Sequence, residues 1–70
     1  MEQIRQMLIE GIVAHNEGII MRAKANIAVY LNHSVGIGEH SDISEAIEGE
    51  LDKIASANDR IEMLDKYFSK

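Results

Sequence analysis

Asn32-His33-Ser34-Val35-Gly36-Ile37-Gly38-Glu39-His40-Ser41-Asp42 is the stretch that decides the fold. The 70-residue chain has no proline, and this is its one cluster of helix breakers. Gly36 and Gly38 adopt positive φ cheaply, as a chain reversal requires. Ser41 or Asp42 can then cap a following helix. With Asp42 as the cap, Glu45 three residues on gives a capping-box-like Asp-x-x-Glu. A connection this short makes the flanking helices antiparallel neighbours. The expectation is one all-α helical-hairpin domain over residues 1–70, with helices at about 2–31 and 43–68 joined by a loop at about 32–42.

Toward the C-terminus the pattern is a one-faced amphipath. Ile47, Ile54, Ile61 and Phe68 recur every seven residues, with Ile43, Ala57 and Leu64 in the complementary position. Leu51 and Ala46 widen the stripe, and Glu45, Glu48, Asp52, Ser56, Asp59 and Lys66 occupy the opposite face. Glu50 is out of place, close to the centre of the apolar stripe.

Toward the N-terminus the pattern doubles. One apolar arc is bulky, with Leu8, Ile9, Ile12, Val13, Ile19, Ile20, Ile27, Tyr30 and Leu31; the other is mostly small, with Gly11, Ala14, Gly18, Ala25 and Ala28 beside Met7 and Met21. A helix apolar on two sides needs more than one neighbour, and a hairpin supplies one. A homo-oligomer follows, most simply a dimer forming a four-helix bundle with the first helices central. Gly11 and Gly18 each cost about 1 kcal/mol against Ala in a helix interior. Two explanations stand: close backbone approach along Gly11, Ala14, Gly18, Met21, Ala25 and Ala28, or a break near Asn16–Gly18 that separates an N-terminal arm.

Composition fits an incomplete core. With no Cys, disulfides and thiolate metal sites are excluded, and one Phe, two Tyr and no Trp leave Ile, Leu, Val, Met and Ala to build the interior. No stretch approaches the ~20 apolar residues of a membrane span, and Glu2, Arg5 and Glu10 interrupt the start unlike a secretory signal. A cytoplasmic protein is expected. The net charge of −5 falls wholly on residues 33–70, with nine acids against Lys53, Arg60, Lys66 and Lys70. Direct nucleic-acid binding wants the opposite sign.

Between the two arcs of the first helix lie His15, Arg22 and Asn26. A hairpin folded about residue 37 brings Glu50 level with residue 24, so Arg22 and Glu50 are expected to form a buried ion pair, within the hairpin or across a dimer. Such a pair sets register more than it adds stability; the alternative is that both side chains reach solvent at the stripe's edge. His15, His33 and His40 with Glu17, Glu39 and Asp42 lack metal-ligand spacing, having no His-Glu-x-x-His and no Glu-x-x-His. The segment Val35 to His40 lacks the third glycine, the preceding strand and the lysine of a phosphate loop. Val35 and Ile37 are expected to plug the hairpin's end instead. No nucleophile–base or paired-carboxylate constellation can be assembled, and a hairpin offers little concavity for one. Neither enzyme activity nor a cofactor is expected.

The block Arg22-Ala-Lys-Ala-Asn-Ile-Ala-Val-Tyr-Leu, followed by Val35-Gly-Ile-Gly-Glu-His-Ser-Asp-Ile and Glu45-Ala-Ile, resembles small uncharacterised proteins of contractile-tailed marine bacteriophages, notably those infecting cyanobacteria. The resemblance spans nearly half of the chain and centres on the Val-Gly-Ile-Gly-Glu-His loop. It implies a phage protein made in the host bacterial cytoplasm, and it carries no activity or catalytic residues.

Two functions remain in view. The first is a non-enzymatic interaction or structural protein, a homo-oligomeric helical bundle that meets a host or phage protein. The second is an acidic DNA mimic whose second helix occupies a host nucleic-acid-binding protein.

Overall fold

The computed structural model describes residues 1–33 and 42–69, and of His33 the backbone. Two helices carry the chain, α1 at Glu2–His33 and α2 at Ile43–Phe68, and no strand occurs among the described residues. They pack side by side along their lengths in a body of 55 × 16 × 11 Å. Gly36, Gly38, Val35 and Ile37, expected at the reversal and its plug, lie outside the described residues.

α1 is one unbroken helix. It runs through Asn16, Glu17 and Gly18, so the separate N-terminal arm is not formed. It also extends two residues past the expected end, through Asn32, whose side chain donates to the Ala28 carbonyl at 2.7 Å. α2 matches its expected bounds. Asp42 precedes it and its carbonyl accepts the Ala46 N–H at 2.8 Å, but its side chain makes no capping hydrogen bond. With φ −89° and ψ 2°, Asp42 already has near-helical backbone. A capping side chain works from extended backbone, so the expected capping box with Glu45 does not form.

The seam between the helices follows a 3–4 alternation on both sides. On α1 it runs Ile9, Val13, Asn16, Ile20, Ala23, Ile27 and Tyr30; on α2 it runs Ile43, Ile47, Glu50, Ile54, Ala57, Ile61 and Leu64. Every one of these is buried or half-buried. Asn16 faces Arg60 and Asn26 faces Glu50, so the hairpin folds about position 38. At the open end an Arg5 guanidinium N–H donates to the Phe68 carbonyl. That bond satisfies one of the orphan carbonyls closing α2 and puts a cation at the negative end of its dipole.

The core this seam makes is thin. Ala23 and Ala57 are the buried hydrophobic residues among those described, and no large side chain is fully buried. The chain exposes 5590 Å², against about 4,400 Å² for a compact protein of 7.8 kDa. Its radius of gyration is 16.3 Å, where a compact domain of this length has about 11 Å. No described helix is long and apolar enough to cross a membrane.

Candidate functional site

Two features stand out from the seam: the polar residues set into it, and the surface of α1 that it leaves uncovered. Asn16 and Glu50 are the buried polar residues among those described, at 2% and 9% exposure. Asn16 Nδ2 donates to the Ile12 carbonyl at 2.8 Å, and Asn16 Oδ1 accepts from Arg60 Nη1 at 3.0 Å. Glu50 Oε1 accepts from Asn26 Nδ2 at 3.3 Å, and Oε2 accepts from Lys53 Nζ at 3.2 Å. Every buried side-chain polar atom among the described residues has a partner. Full satisfaction is what makes a polar group tolerable in such a position.

The expected Arg22–Glu50 pair is therefore corrected within the hairpin. Arg22 is exposed, and it acts on Glu50 by its charge alone. The cause is register: folding about position 38 rather than 37 brings Asn26 level with Glu50. Lys53, one turn further along α2, supplies the cation from the same helix. The Glu50 carboxyl is held below its ordinary pKa. The Asn26 hydrogen bond lowers it most, burial opposes this, and the bond and charge of Lys53 and the charge of Arg22 lower it further.

Arg22, Asn26, Glu50, Lys53, Ser56 and Arg60 line an open groove along this side of the hairpin. Among the described residues no three His, Asp or Glu side chains are grouped so as to hold a metal ion.

The uncovered surface of α1 has its own order. Ile4, Met7, Gly11, Ala14, Gly18, Met21, Ala25 and Ala28 follow a second 3–4 alternation, unbroken over four heptads. At about 100° per residue its centre lies about 160° around the helix from the seam that meets α2. All eight residues are exposed, with Ile4 at 55%, Met7 at 69% and Met21 at 68%. Gly11 and Gly18 have open space where a Cβ would stand, so neither is required by anything in its own chain. Part of the bulky arc is left outside as well: Leu8, Ile12 and Leu31 are exposed, whereas Ile9, Val13, Ile19, Ile20, Ile27 and Tyr30 turn toward α2. Apolar residues consequently surround α1 almost evenly, in contrast to the one-sided α2.

Sequence reasoning placed the six residues Gly11 to Ala28 on one face, and the structure shows that face free of α2. It missed Asn16 as a buried polar residue, although the spacing of seven from Ile9 through Asn16 and Ala23 to Tyr30 carries the signal. It also missed Arg5 at the end of α2, for which the sequence offers no local cue. Compared with protein-family models, curated proteins and solved structures, the chain matches none.

Proposed function

We propose that this chain is a non-enzymatic interaction or structural protein that works as a homo-oligomer, most simply a dimer whose four helices lie in a row with the two α1 helices at its centre. Faces about 160° apart on α1 do not close the expected four-helix bundle. One observation carries the reading: α1 has two apolar heptad faces, and α2 covers one of them. An apolar face of this length is unfavourable in water, and a symmetric partner is the economical way to bury it. The surplus exposure of about 1,200 Å² exceeds the roughly 800 Å² per partner that a stable interface takes. The resemblance of the central block to marine phage proteins supports a phage gene product made in the bacterial cytoplasm. Thermal unfolding at a series of protein concentrations tests the oligomer. A dimer's midpoint rises with concentration, whereas a monomer's is constant.

The acidic-mimic reading draws on α2, where Glu45, Glu48, Asp52, Asp59, Glu62 and Asp65 are all exposed. Over 26 residues, about 39 Å, that is about one carboxylate per 6–7 Å. A DNA strand carries about one charge per 3.4 Å. At half that density, with Lys53, Arg60 and Lys66 interleaved, the likeness to a phosphate backbone is weak. The homo-oligomer reading is the stronger.

A further inference from the structure

We propose that the second copy packs against α1 antiparallel and in full overlap. Ile4 then lies opposite the partner's Ala28, Met7 opposite the partner's Ala25, Gly11 opposite the partner's Met21 and Ala14 opposite the partner's Gly18. This register rests on the homo-oligomer reading above and adds to it an orientation and a pairing.

Side-chain size along the free face decides the orientation. From the N-terminus it reads large at Ile4 and Met7, small at Gly11, Ala14 and Gly18, large at Met21, and small at Ala25 and Ala28. Packed helices keep a nearly constant spacing of about 8–10 Å. A parallel pair sets each residue opposite itself, so the helices would be wedged apart at Ile4, Met7 and Met21 and left with holes at the glycines. Interiors tolerate neither voids nor overlap. An antiparallel pair centred near residue 16 sets each large residue against a small one, by symmetry on both sides of the centre. The two middle layers, Ala14 with the partner's Gly18 and its symmetry mate, become the point of closest approach. That gives the glycines the neighbour they lack within one chain.

Charge agrees at the flank. Glu10, Glu17 and Lys24 form the polar row beside this face, and all three are exposed. The antiparallel register puts Glu10 beside the partner's Lys24 twice over. It also brings the two Glu17 side chains near the axis, where both remain in water. A parallel pair would match Glu17 with the partner's Arg22 instead, but exposed ion pairs contribute little. Steric fit outweighs them. The opposed helix dipoles add in the same direction.

The chain has no cysteine, so single substitutions report without background. Met7→Cys and a mass-tagged Ala25→Cys are purified, mixed, allowed to exchange and oxidised mildly. The expected product is the mixed Met7→Cys/Ala25→Cys disulfide, identified by mass. Each variant alone should stay uncrosslinked, because its own symmetry mate lies about 27 Å away along the axis. Self-linked products from each variant alone would overturn the antiparallel register and leave the dimer standing. No cross-link in a chain that sediments as a dimer would overturn this face as the interface. No cross-link in a chain that sediments singly would overturn the homo-oligomer reading itself.

Discussion

Replacing a helix glycine by leucine separates a free surface from a closely packed one, and α1 and α2 offer a matched pair of sites. Gly18 on α1 and Gly49 on α2 both sit in helix interiors, and an added Cβ at either meets nothing within 4 Å of its own chain. For an isolated hairpin, Leu in place of either glycine gains about 0.8 kcal/mol of helix propensity. For a chain of this length that raises the melting midpoint by about 3–6 °C. Gly49→Leu should show this gain. Gly18→Leu should not, because in the proposed dimer Gly18 lies where the two α1 helices approach most closely. Overpacking costs about 1–3 kcal/mol per site, and symmetry applies it twice. A loss of about 4 kcal/mol weakens the dimer about a thousandfold. Circular dichroism melts and sedimentation equilibrium on the two variants measure both quantities. A Gly18→Leu variant that melts higher than the parent, and sediments as the parent does, would refute close packing along this face.

Glu50 should shape the acid limb of stability. Its carboxyl pKa is lowered on folding, so its stabilising contribution is present above the ordinary carboxylate pKa and is lost as pH falls through the folded value. Denaturant midpoints measured down to pH 2 should therefore fall less steeply in Glu50→Gln than in the parent; an identical slope would show that Glu50 is not responsible. Asn16→Leu fills a buried seam position, where apolar burial outweighs the two lost hydrogen bonds. It should gain about 1 kcal/mol, or about 4–8 °C. A lower midpoint would mean that the bonds to Ile12 and Arg60 outweigh packing. Arg5→Ala removes the bond to the Phe68 carbonyl, and should cost about 0.5 kcal/mol and speed amide exchange in the final turn of α2. Unchanged exchange there would show that the bond does not hold the helix end.

The hairpin was legible because two local signals agree: a glycine-containing breaker cluster at residues 32–42, and heptad spacing of Ile43, Ile47, Ile54 and Ile61 after it. The doubled pattern of α1 was legible for the same reason, since periodicity reports faces without knowing the neighbour. The partner of Glu50 was not. Pairing across a hairpin depends on where the chain reverses, and a shift of that centre from 37 to 38 moves the opposite residue by two, from Lys24 to Asn26. A break near Asn16–Gly18 stood as one of two explanations for the glycines of α1, beside close backbone approach, and the helix is unbroken there. Asn16 bonds its own turn at Ile12 and also Arg60, and that long-range bond has no local trace in the sequence. The capping box failed on backbone conformation, which a residue type suggests but does not fix.

Sedimentation equilibrium over a concentration series, with helicity followed on the same samples, tests whether α1 joins copies of the chain while α2 covers its opposite face. A mass of twice 7.8 kDa at micromolar concentration is expected, falling toward one chain on dilution together with loss of helix signal. A single-chain mass with full helicity at every concentration would contradict that arrangement.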